Sequence, residues 1–117
     1  MRRVVSERFP FAEVEWEVRE QRSIALAFID TGFDGFLMLP TNWMRQLGTP
    51  DRIDWWQLAD GSFVAAPTYF GTTRFVGTEE FLPCDIIVMG NEVIVGLDLV
   101  RHYLVTLERG QRVIIEP

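Results

Sequence analysis

The stretch Ala25–Pro40, ALAFIDTGFDGFLMLP, opens with an apolar run, places an acid, a hydroxyl and a glycine in succession, and turns apolar again at once. An ionised carboxylate is costly to remove from water. Asp30, at the end of a segment that otherwise reads as core, therefore calls for compensating hydrogen bonds, a shifted pKa or a chemical task. Asp-Thr-Gly alone is weak evidence, because so short a string of common residues turns up by accident. What surrounds it has to decide.

Upstream, AEVEWEV alternates strictly: Ala12, Val14, Trp16 and Val18 fall on one face, and Glu13, Glu15 and Glu17 on the other. This period of two is the pattern of a half-buried strand. A polar turn over Glu20–Arg22 then leads into a second strand, Ser23–Ile29, and the two make a hairpin. Downstream, FLMLP reads as a short strand. PTNWMRQLG reads as a short helix capped by Thr41 or Asn42 and closed by Gly48.

IDWWQLADGSFVAAPTYF has apolar arms flanking Asp60-Gly61, a dipeptide suited to tight turns, and is expected to project as a hairpin. Trp55 and Trp56 face opposite sides of its first arm, so one of them can line a cleft. TTRFVG and CDIIVM read as two further strands. EVIVGLDLVRHY places a strand, a glycine and a turn or two of helix in order, and LVTLERGQRVIIEP closes the chain as a hairpin turning at Arg109-Gly110. Many short strands with turn signals between them predict an all-β closed barrel-like or sandwich architecture with one or two short helices.

The bulk properties bound the function. A chain of 117 residues that is 48% hydrophobic buries one core, so residues 1–117 are read as a single domain. Its 11 basic residues are all arginine and scattered, against 17 acids, for a net charge of −6. That balance repels phosphate backbones and anionic lipid, so neither nucleic acid nor membrane is expected as a partner. One cysteine, Cys84, leaves no internal disulfide and too few ligands for a multi-cysteine zinc site, so no metal and no cofactor are called. With no apolar run of membrane-spanning length and no signal-type apolar region after the first arginines, a cytoplasmic location is expected.

The motifs IDTGFDG (Ile29–Gly35), LADGSF (Leu58–Phe63) and VIVGLDLV (Val93–Val100) come in the order acidic loop, projecting hairpin, then strand ending in glycine and leading into a helix. At these residues the chain resembles the retropepsin-like aspartic proteases, in particular their short single-lobe bacterial relatives, from about Ala12 to the C-terminus. The resemblance implies a closed β lobe of the acid-protease type and an aspartic endopeptidase acting on a peptide or protein substrate. Asp30, Thr31 and Gly32 are then the catalytic loop. Asp34, Gly35, Asp60, Gly61 and Ser62 contact substrate, the last three from a flap, while Ile94, Val95 and Gly96 support the acidic loop.

One such loop is half a catalytic dyad, so the resemblance also implies a homodimer in which an isologous two-fold supplies the second Asp30. The terminal strands Arg2–Val5 and Val113–Glu116 are the candidates for a shared sheet. Leu97 and Asp98 stand where viral members carry an arginine after the glycine, with Arg101 one helical turn on as a substitute. Phe33 is bulkier than the residue usual at its place, and the flap turn has a single glycine.

Other readings stay open. Asp30 can end a strand and accept turn N–H bonds, and Asp34 is either a turn acid before Gly35 or a substrate contact. Cys84 and His102 invite a thiol nucleophile, although nothing in sequence activates either. The alternative to the enzyme is a non-catalytic retropepsin-like dimerisation or peptide-binding module. A small-ligand barrel would leave Asp30 unpaired in a monomer.

Overall fold

A computed structural model describes residues 3–117 of the chain. The strands are β1 (Val4–Ser6), β2 (Phe11–Val18), β3 (Gln21–Ile29), β4 (Leu37–Leu39), β5 (Arg52–Gln57), β6 (Phe63–Phe75), β7 (Leu82–Val88), β8 (Ile94–Val95), β9 (Leu104–Glu108) and β10 (Arg112–Glu116). Two short helices, α1 (Met44–Leu47) and α2 (Leu97–Val100), interrupt them. The fold is mostly β, with a closed six-stranded barrel, as the alternating patterns predict.

The barrel runs β2-β3-β8-β4-β7-β6 and closes where β6 pairs with β2, from Val14 opposite Phe75 to Glu17 opposite Thr72. The predicted apolar face of β2 fills it: Val14, Trp16 and Val18 are fully buried, with the Trp16 ring edge-on to Trp43 at 4.8 Å. The β2–β3 turn is tighter than expected. Gln21 and Arg22 already pair with Val18 and Glu17, leaving Arg19 and Glu20 to turn. Arg19 adopts a positive φ of 54°, and Arg22 bonds across the strands to Glu17 at 2.6 Å.

Three expectations are corrected by long-range pairing. The segment Thr72–Phe75 is no separate strand but the last part of the 13-residue β6. That strand carries β5 on its first half, and β7 and then β2 on its second. Gly71 lets it pass, because a Cβ there would press on the Glu17 carbonyl oxygen. At the other corrected element, neither Thr41 nor Asn42 caps the helix. The chain enters through Pro40 and a 3-10 turn over Thr41–Trp43, and the Thr41 N–H finds its acceptor in the Gly90 carbonyl at 3.0 Å. Gly48 closes the helix at φ 75°, as read.

The third correction concerns the termini. Val113–Glu116 lies within β10, which is paired on one side with β1 and on the other with β9. Val113, Ile114 and Ile115 are all buried. A strand with both edges occupied has no edge to share, so among the described residues the open edges of this sheet are β1 and β9. Arg2 lies outside the described residues. No helix among the described residues is long and apolar enough to cross a membrane.

Candidate active site

Strand β8 lies between β3 and β4, parallel to the first (Ile29 beside Val95) and antiparallel to the second (Leu37 beside Val95). The chain between β3 and β4 must therefore cross the end of β8, and Asp30 opens that crossing. Its backbone N–H donates to the Val95 carbonyl at 3.0 Å. Its side chain is partly exposed, and Oδ1 accepts the Gly32 N–H at 2.9 Å, closing a small turn around the carboxylate. Thr31, Gly32 and Asp34 are exposed, whereas Phe33 is buried beneath them.

The start of α2 holds the rest of the loop. Gly96 N–H donates to Phe36 O at 3.1 Å, Leu97 N–H to Phe33 O at 2.8 Å, and Asp98 N–H to Gly35 O at 3.2 Å. Such an approach needs a residue without a side chain at position 96. A Cβ there would lie 2.5 Å from the Phe33 carbonyl oxygen and closer still to that of Gly35. The glycine serves space and not dihedral freedom, since its φ is −108°. Gly35 is similarly constrained, because a Cβ would lie 2.5 Å from the Phe33 ring. Ile94, Val95 and Gly96 thus lie directly beneath the loop that carries Asp30, Thr31 and Gly32.

The hairpin of β5 and β6 projects as expected, with a five-residue tip, Leu58–Ser62. Gly61 has φ 88° and open space around it, so it serves conformation, while Asp60 keeps an ordinary φ. Asp60 Oδ1 accepts both the Ser62 hydroxyl at 2.5 Å and the Ser62 N–H at 2.9 Å, and these bonds hold its carboxyl below the usual range. The Asp60 carboxylate is thereby committed within the tip.

Beside the acidic loop runs a groove of about 520 Å³, walled by Phe33, Gly35 and Phe36 from the loop and by Arg52, Asp54 and Trp56 from β5. Asp30, Thr31, Gly32, Asp34 and the tip residues Asp60, Gly61 and Ser62 are not in its wall. Of the two adjacent tryptophans it is Trp56 that faces inward, its ring 5.3 Å from Phe33 and its indole N–H buried without a partner. Trp55 points out, 71% exposed.

Sequence reading missed Arg52, Asp54 and Asp85. Arg52 Nε bonds Asp54 at 2.8 Å, and its other end reaches across the Phe70 ring to Asp85 on β7. Hydrogen bonds from Arg52 and then from the Thr68 hydroxyl hold Asp54 below its ordinary pKa, against a partial desolvation. The same alternation that separates Trp55 from Trp56 puts positions 52, 54 and 56 on one face, a usable signal. Asp85 carries no comparable signal, because it joins the group through non-local pairing.

The remaining candidates separate. Arg101 pairs with Asp98 at 3.4 Å, three residues back on its own helix. Cys84 and His102 line different grooves, and burial, then the neighbouring Asp85, pushes the Cys84 thiol up to about 12, the opposite of an activated nucleophile.

No protein-family profile matches the chain, and no curated protein matches it. Its structure is similar to the crystal structure of a retropepsin-like aspartic protease from Rickettsia conorii, with a TM-score of 0.63 over 97% of this chain and 89% of that one. At 13% identity the likeness is one of fold. The fold is that of a single retropepsin-like lobe.

Proposed function

We propose that the chain is an aspartic endopeptidase that works as a homodimer, with Asp30 of each copy forming a shared dyad over a peptide or protein substrate. The observation that carries this reading is the Asp30-Thr31-Gly32 turn at the end of β3, clamped from below by Gly96, within a retropepsin-like lobe. Two carboxylates placed side by side cannot both ionise easily, so one holds a proton while the other stays charged. The charged one takes a proton from a water that attacks the peptide carbonyl, and the protonated one supports the carbonyl oxygen as it gains charge. In this scheme Gly32 brings a backbone N–H to the carboxylate, and Thr31 ties the two loops together across the two-fold. The Leu58–Ser62 tip closes over the substrate, and Asp34 and Gly35 meet its backbone.

The test uses Asp30→Asn, which keeps the shape and removes the ionisable oxygen. The variant should fold with wild-type spectra and cleave no peptide. An excess of it, exchanged into wild-type protein, should drain activity as mixed dimers form. Activity that survives verified subunit exchange refutes the shared dyad. A second reading, a peptide-binding module that does not cleave, is favoured by one feature: β10 is already paired on both sides within its own chain. Peptide binding without hydrolysis, unaffected by Asp30→Asn, would establish it.

A further inference from the structure

The hairpin of β5 and β6 has two unlike faces. Its inner face packs Trp56 and the buried Ala66 against Phe33 and Ile87. Its outer face is apolar and uncovered: Trp55 is 71% exposed, Phe63 64% and Ile53 53%, with Leu58 at the tip 42% exposed. Register places these residues together, since Trp55 pairs with Ala65, Ile53 with Pro67 and Gln57 with Phe63. None of the six carries a charge, in a chain whose net charge is −6. The strand that bears Trp55 and Ile53 is also a sheet edge, for among the described residues β5 pairs with β6 alone.

We propose that this face is a self-association surface, on which a second copy of the chain docks with β5 laid antiparallel against β5. An unpaired strand edge beside an exposed apolar face offers both main-chain bonds and burial to another strand. A second copy is the occupant that the chemistry selects. The face has no charge with which to recognise an ionic partner, and an isologous contact requires only that it complement itself.

Trp55 and Phe63 each expose roughly 100–180 Å². With Ile53 and Leu58 the four side chains expose on the order of 400–500 Å², of which edge pairing covers the sides of Trp55 and Ile53 that face the partner together with the strand edges, a contact smaller than the about 800 Å² per partner of a standard interface and therefore a weak one. Charge chooses the register. A two-fold through Asp54 would set two carboxylates opposite each other, which is unfavourable across a strand pair. A two-fold through Trp55 sets that ring beside its own copy and Ile53 beside Gln57. This contact does not involve Asp30 and stands apart from the proposed dyad.

Sedimentation velocity over roughly 1–100 µM tests it. Wild-type protein should associate with rising concentration, and Trp55→Glu, at a site too exposed to affect folding, should weaken that association at least tenfold. In Trp55→Cys, mild oxidation should trap a covalent dimer, since opposed Cα atoms in an antiparallel pair lie about 4.5–5.5 Å apart, within disulfide reach. The Trp55→Cys cross-link can form only where two β5 strands meet, which separates this contact from the dyad. Wild-type protein that stays monomeric, association unchanged by Trp55→Glu, or a Trp55→Cys protein that fails to cross-link would each overturn the proposal.

Discussion

Replacing Gly96 with alanine tests the central packing relation of the site. The added methyl would fall 2.5 Å from both the Phe33 carbonyl oxygen and the Phe33 ring, and closer still to the Gly35 carbonyl, where a relaxed contact needs well over 3 Å. The two carbonyls are backbone atoms of a loop that α2 itself holds, and the Phe33 ring is buried, so no flexible side-chain end can yield. Overpacking of this kind costs about 1–3 kcal/mol. Moving the loop aside also strains the bonds from Gly96, Leu97 and Asp98 to Phe36, Phe33 and Gly35, each contributing about 0.5–1.5 kcal/mol. A total near 3 kcal/mol follows, roughly a hundredfold in the folding equilibrium.

Urea unfolding reads it directly: the midpoint should fall while the slope, which reports the surface exposed on unfolding, stays the same. Gly90→Ala is the control, because a Cβ there meets nothing within 4 Å and its φ of 72° makes conformation the only cost, about 1–2 kcal/mol. A Gly96→Ala protein within about 0.5 kcal/mol of the wild type would refute the claim that Gly96 is required for space.

Two further outcomes follow from charge and burial. Asp51 is held below its ordinary pKa first by the Phe70 N–H at 2.8 Å and then by Arg19 at 3.2 Å. The stability it adds is complete above the unfolded value of about 3.9 and is lost as pH falls through the lower folded value, so Asp51→Asn should flatten the acid side of the stability curve below about pH 4 and leave its shape above pH 5 unchanged. Chemical denaturation at several pH values checks this, and an unaltered acid limb contradicts it. Cys84, its thiol pushed up to about 12, should react slowly with a thiol reagent at pH 8 in the folded protein and at once in urea. Rapid labelling of the native state would contradict the raised thiol.

Much of the fold was legible because it was written in short-range pattern. The alternation over Ala12–Val18 determined which face of β2 is buried. Positive-φ residues at Gly48, Gly61 and Arg109-Gly110 stood where the chain turns, since those turns depend on a few adjacent dihedrals. The acidic loop was equally visible, as Asp30 and Gly96 sit at the ends of apolar runs whose types are unmistakable. What tertiary structure alone decided was pairing across long separations. That β6 runs unbroken through Phe75 depends on Glu17 and Gly71 meeting. That Thr41 needs no side-chain cap depends on Gly90, and that β10 is an interior strand depends on β1 reaching it from the other end of the chain. The groove follows the same logic, with Arg52 on one strand and Asp85 on another brought together over Phe70. A local pattern specifies which face of a strand turns inward, but which strand lies alongside it is settled by the closure of the barrel as a whole, where every edge must find a partner at once.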